Sequence, residues 1–466
     1  MKRLMVGILT LVMVATGLAR AGYTWEYAEG KKCALGADLR LRLTHWDRDL
    51  VNPGLDAPDA ANPQVTPWEK GDEVEYLRVR TRAWACFDIT EDMQLMLRLG
   101  NRIHHWSTAG WDANNRYTGS DTTAWAAGDE VFIDNLYLDI KNVMDSDWSL
   151  RLGRQNVMLG NGMVVLEGTP YDQGRSIYFD GAVATYKTEC DTVKLLALYN
   201  EYRDTTVVIS DQDRRLRRGD TALLGAYWTH RINDSMNTDM YYLFADITDD
   251  MGDLPAIQRM HGADENVNLH IVGARLFGNP SAAMSYSLEA AQQMGRAEMA
   301  DNDAHLEGQM LDARVTMKAS EGTKMSPKLM LQYTYFSGDN PDTADDIEGW
   351  HPAFAEYPMF REELTAIYTN GNWTNLNQAR ALLTLKVRDA EKLPMTLTTG
   401  YAYLTAEKAA GTGEGKELGH LVSAFLDIGV SKNVKCSLEA AHFDPSGYFD
   451  NGSAAEWLRF QTVFTF

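Results

Sequence analysis

Leu39, Leu41 and Leu43 alternate with Arg40 and Arg42, and Leu77 and Val79 alternate with Arg78, Arg80 and Arg82. Leu95, Leu97 and Leu99 likewise set Arg98 on the opposite phase, and Arg102 follows it. A period of two belongs to a β-strand whose two faces meet different surroundings. The pattern, bounded by Gly, Pro, Asn and Asp, recurs from residue 35 to the end. It predicts strands at 35–46, 74–87, 93–104, 131–140, 147–155, 176–187, 191–203, 221–231 and 237–249. Further strands follow at 267–277, 283–294, 308–318, 326–337, 379–389, 394–405, 418–430, 434–443 and 455–466.

The connections sort by length. Those such as 47–73, 105–130, 156–175 and 338–378 are long, and each is followed by a tight turn such as 88–92, 141–146, 188–190 or 390–393. Short periplasmic turns alternating with long outer loops are the mark of a membrane barrel, and a soluble sandwich has no reason to sort them. The last strand agrees: Leu458, Phe460, Thr462, Phe464 and Phe466 share one face. That face suits lipid with aromatic residues at its ends, whereas on a soluble edge strand it invites aggregation. The expected fold is all-β: a single transmembrane antiparallel β-barrel of about 18 strands.

Ahead of the barrel, Lys2 and Arg3 precede the apolar run Leu4 to Leu18, and Ala19-Arg20-Ala21 fits a small-x-small cleavage site. Residues 1–21 are therefore expected to be a signal peptide, 22–34 a short periplasmic segment and 35–466 the barrel, delivered to a bacterial outer membrane. The segment 22–34 is too short for the plug domain of an active transporter.

Composition narrows the function. A formal charge of −21 argues against nucleic acid as a partner, and 45% hydrophobic residues argue against disorder. Past residue 21 no stretch reaches the ~18 apolar residues of a membrane helix. Cys33, Cys86, Cys190 and Cys436 lack paired spacing, so neither a disulfide scaffold nor a zinc site is expected.

In a barrel, charge within a strand reports the lumen. Arg40, Arg42, Arg78, Arg80, Arg82, Arg98 and Arg102 then form one basic wall, joined by Arg151, Arg314, Lys386 and Arg388 on inward phases. Inward acids such as Asp38 and Asp312 are expected to be fewer, the acid excess lying in loops such as 339–348. A low-dielectric tube lined by cations favours anions. The plainer alternative is that these arginines pair with acids of loops folded inward.

The block Leu152-Gly153-Arg154-Gln155, Leu159-Gly160-Asn161-Gly162, Gly168-Thr169-Pro170 and Arg175 with Tyr178-Phe179-Asp180 resembles the alginate-export family of outer-membrane porins. Phe336-Ser337-Gly338-Asp339-Asn340-Pro341 and Glu417-Leu418-Gly419-His420 are weaker echoes. The resemblance implies an eighteen-stranded barrel with a basic passage for an anionic polysaccharide of uronic acids. In loop 156–175, Glu167 and Asp172 are candidates for a constriction, and Arg154 and Arg175 for contacts to substrate carboxylates. Equally, Arg154, Asp172, Arg175 and Asp180 form a structural ion-pair cluster. A terminal Phe466 resembles the signal read by the barrel-assembly machinery.

Other motifs lead nowhere. Gly411 to Glu417 lacks the residues of a phosphate loop, and His104-His105 point to opposite faces of a strand. Arg214, Arg215, Arg217 and Arg218, in an outer loop, suit lipopolysaccharide phosphates or pair with nearby Asp. No GxSxG elbow supports an esterase, and no catalytic residue, metal or cofactor is expected. The expectation is an outer-membrane porin for an anionic, uronate-containing oligo- or polysaccharide, with lipid and periplasmic export partners around it. The alternative is a general or small-anion diffusion porin on the same barrel.

Overall fold

The structure, a computed structural model, describes residues 22–48, 72–106, 125–126, 130–166, 179–201, 206–209, 220–248, 266–298, 303–320, 322–340, 342–343, 345–354, 361–362, 364, 373–409, 415–449 and 454–466. Eighteen long strands make its wall. They are β1 Lys31–Arg48, β2 Asp72–Asp88, β3 Met93–Trp106, β4 Val131–Ile140, β5 Trp148–Arg154 and β6 Asp180–Lys187. Next come β7 Asp191–Asn200, β8 Asp220–Asn233, β9 Met236–Thr248, β10 Asn266–Ser281, β11 Met284–Ala297 and β12 Ala304–Lys318. Last are β13 Lys328–Phe336, β14 Leu376–Arg388, β15 Met395–Thr405, β16 Glu417–Ser431, β17 Val434–Pro445 and β18 Ala455–Thr465. Each pairs antiparallel with the next, and β18 returns to β1 from Asp38↔Thr465 to Arg48↔Ala455, closing the sheet. All eighteen predicted strands are present.

The wall begins at Lys31 rather than at residue 35. Tyr23–Ala28 forms a hairpin with the start of β1. It fills the same edge of β1 that Phe466 reaches through its backbone bonds to Ala37. Among the described residues the four cysteines are free thiols.

The outer face is apolar by register. Leu195, Leu224, Met240, Tyr242, Val272, Leu288, Leu331, Tyr333, Tyr401, Val422 and Leu438 are all exposed. An apolar surface this broad fits lipid, not water. Aromatic pairs flank it: Trp148 with Tyr186 and Trp228 with His230 near the short turns, Tyr403 with His420 near the loops.

Inside, β7 to β10 break the simple alternation. Leu196, Leu198, Leu223, Leu243, Ala245, Ile247, Leu269 and Ile271 occupy the inward phase and are buried, so these strands are apolar on both faces. Such a lumen wall cannot stay wet cheaply, and two connecting segments cover it. Val157, Leu159, Val164 and Val165 after β5, and Trp350 and Phe354 after β13, join these side chains in one cluster. Val165 bridges to Phe354 in parallel register, and the Leu166 amide donates to the Phe354 carbonyl at 2.9 Å. Each large side chain so buried contributes about 1.5–3 kcal/mol.

One glycine lets the lumen network form. Gly273 on β10 faces Tyr241 on β9, and a Cβ there would lie 2.3 Å from the ring. Without it Tyr241 crosses β10, stacks on Tyr227 (centroids 5.5 Å apart) and donates to Glu289 on β11 at 3.0 Å. Gly273→Val is expected to cost on the order of 1–3 kcal/mol by overpacking. The check is the urea midpoint of the barrel in lipid vesicles; an unshifted midpoint means the ring has another place to go.

Candidate functional site: the basic wall of the lumen

Three adjacent strands carry the arginines, and register fixes their layout. Arg40, Arg80 and Arg102 stand directly opposite one another across β1, β2 and β3. In the next row Arg42 faces Arg78, which faces His104, and in the row on the other side Asp38 faces Arg82. Directly opposed like charges destabilise a sheet, so this lattice needs neutralising partners or an anionic occupant.

Part of the neutralisation is internal. Asp38 takes Arg82 at 2.8 Å and Arg80 at 3.3 Å. Asp134 takes Arg98 and, at 3.8 Å, Arg82. A bulge in the β3–β4 pairing turns Asp134 and Asn135 together into the interior, where both are buried. Gln461 on β18 accepts from Arg42 at 2.7 and 3.0 Å, and His104 accepts from Arg78. Arg40, Arg42, Arg78 and Arg80 are themselves buried, which strengthens their field by excluding water.

The opposite side of the eighteen-strand ring is different. Asp239 accepts from Tyr227 and Thr229 and pairs with Arg275 at 2.6 Å. Asp312 pairs with Arg314 at 2.6 Å and accepts from Gln332 and Thr334. Glu289 lies between them, 2% exposed, with one oxygen unbonded among the described residues. The segment after β5 docks on this wall: Asn161 donates to Ser287 at 2.9 Å and accepts from Arg275 at 3.0 Å, while Arg314 reaches Met163. A basic wall thus faces a carboxylate-bearing one, and the lumen carries a transverse field.

A second clamp holds the connection after β13. Arg361 forks onto Asp427 at 2.6 and 2.8 Å and also pairs with Glu439 at 2.8 Å. Burial works against its cation, but the two carboxylates outweigh it and hold the guanidinium above its ordinary value. Neighbouring Glu362, fully buried, pairs with Arg380 on β14 at 3.1 Å.

Several sequence expectations need correction. Beyond Asp38 and Asp312, further inward acids lie on strands other than those with the basic phases: Asp134 and Asp139 on β4, Asp239 on β9, Glu289 on β11, Asp427 on β16 and Glu439 on β17. Arg154 does not line the pore, because it pairs with outward Leu136 in register, one residue past the inward phase of Arg151 and Gly153. It forks onto Asp180 at 2.8 and 2.9 Å and bonds Thr206 and the Ile133 carbonyl, a structural clamp. Arg151 does face inward, forked onto Asp139 at 2.7 and 2.8 Å and lying 4.0 Å over the Tyr137 ring. Lys386 and Arg388 are exposed at the short-turn end, Lys386 beside Asp389, and so stand at the mouth rather than along the wall. Glu167, Asp172, Arg175 and the Arg214–Arg218 cluster lie outside the described residues.

Closure, outward apolar band and charged lumen together define an outer-membrane channel protein of the porin type. A family model described as alginate export matches residues 61–456, and the chain belongs to that family. Solved porins share the fold. OccAB2 of Acinetobacter baumannii superposes with a TM-score of 0.55 at 13% identity, covering 93% of this chain and 98% of that one. OccK1 (OpdK) of Pseudomonas aeruginosa gives 0.54 at 11% identity over 93% and 98%. OccK7 (OpdD) of the same species gives 0.52 at 15% over 92% and 99%. No curated protein matches the chain.

Proposed function

We propose that the barrel conducts an anionic, uronate-containing oligo- or polysaccharide along the β1–β3 wall, guided by charge and without covalent chemistry. The observation that carries this reading is the row Arg40, Arg80 and Arg102, opposed across three strands at mid-wall. Guanidinium forks match carboxylates in geometry, keep their charge, and relieve their mutual repulsion when an anion enters. The family's description points to the same class of cargo. In this reading the chain reaches the outer membrane after cleavage following Ala21, is assembled through its Phe466 strand, and meets an export partner at the short-turn mouth.

Planar-bilayer recording of the mature chain tests this. The expected result is anion preference together with current block by uronate oligomers and little block by neutral ones. Anion preference without uronate block would indicate a small-anion diffusion porin. Cation preference would overturn the reading and assign the arginines to structure.

A further inference from the structure

Resting on that reading, we propose a carboxylate-binding subsite at Lys194, in the lumen on the short-turn side of the segment after β5. A cavity of about 390 Å³ lies there, lined by Ser149, Arg151, Asn156, Val157, Thr185 and Lys194 among others. Register puts Ser149, Thr185 and Lys194 in one inward row across β5, β6 and β7, continuing to Tyr227 on β8.

Of the cavity's three cations, Lys141 is exposed at the short turn, and the other two differ in what they are already doing. Arg151 is committed to Asp139 through both oxygens. Asp239, in the neighbouring inward row opposite Thr229, is held by Tyr227, Thr229 and Arg275. Among the described residues no group is bonded to the Lys194 ammonium. A half-buried ammonium with three donors and no acceptor is an incomplete arrangement that a carboxylate completes.

The rest of the cavity fits a sugar acid. Thr185 supplies a hydroxyl beside Lys194, while the Ser149 hydroxyl donates to the Thr185 carbonyl at 3.4 Å and has its lone pairs left to accept. Asn156 receives the Asn135 amide on its Oδ1 at 2.6 Å, which leaves its own NH₂ group to donate. Val157 and Met158 give an apolar side for the C–H face of a ring, and the volume lies in the range of pockets that hold one small ligand. The site sits where a chain end entering from the short-turn mouth meets the underside of the inward segment. It therefore binds one uronate residue before the arginine wall takes over.

Glucuronate applied to the short-turn side of single channels, with glucose as control, tests the assignment. Wild-type channels are expected to be blocked by glucuronate and not by glucose. Lys194→Ala should weaken that block about tenfold, the loss of one charge-assisted contact, while Lys194→Arg keeps most of it. Thr185→Val, which leaves every charge in place, should weaken it less but in the same direction. Unchanged heat-modifiable gel migration establishes that the variants are folded. If wild type is anion-selective and blocked but Lys194→Ala is blocked equally, the subsite is wrong and the basic-wall reading stands. If wild type is cation-selective and glucuronate has no effect, both fall.

Discussion

Exchanging Arg40, Arg80 and Arg102 together for glutamine is expected to lower the anion-to-cation permeability ratio of the open channel roughly tenfold. A unit charge about 4 Å from a permeating ion contributes about 1 kcal/mol even in water, or about fivefold in occupancy. Three such charges give more than tenfold, but Asp38 already offsets part of the field at Arg80. Glutamine keeps much of the length and hydrogen-bonding capacity, and its introduction removes like charges that face one another across β1, β2 and β3. The triple variant loses the Arg80–Asp38 pair along with these repulsions, so its heat-modifiable gel migration is measured as well to show that it is folded. The measurement is the reversal potential in a salt gradient. An unchanged ratio in a folded variant would show that ions pass elsewhere and that the arginine row only braces the wall.

The barrel was legible in the sequence because its code is redundant. A strand such as β4 declares itself by alternation, by its flanking turns and by its place in the long–short series of connections, and its predicted limits of 131–140 match. The basic wall was legible for the same reason: Arg40 and Arg42 in β1 and Arg78 and Arg80 in β2 alternate with Leu or Val, which fixes their face. Arg154 lies within the predicted strand 147–155 and shares the outward phase of Leu150 and Leu152, so alternation argued against the pore contact that the resemblance implied for it. Asp134 escaped because a bulge shifts the phase by one residue, which alternation cannot report. Asp239 and Glu289 sit among small and aromatic residues rather than beside a run of leucines, so their inward phase has no local contrast. A usable signal was present in β8 to β10. Leu223-Leu224, Leu243-Phe244-Ala245 and Ile271-Val272 are apolar on both phases. In a barrel such strands imply that something dry covers the lumen side.

Placing aspartate at both Val165 and Phe354 is expected to part the two covering segments from each other and raise open-channel conductance severalfold. These residues pair with each other, are 0% and 2% exposed, and lie in the cluster that closes over β7 to β10. Two carboxylates facing each other in that dry contact repel, and burying even one unpaired charge costs several kcal/mol. Undocking avoids that cost by carrying both into water. The barrel itself should survive, since its eighteen strands pair with one another independently of these contacts. Heat-modifiable migration then stays normal while current rises. Asn161 still ties the first segment to Ser287 and Arg275, and the Arg361 and Glu362 ion pairs still hold the second, so what opens is the Val165–Phe354 contact between them. Conductance unchanged in a folded double variant would mean that these segments lie beside the current path rather than across it. In that case the narrowest part of the passage would have to be sought along β1 to β3 themselves.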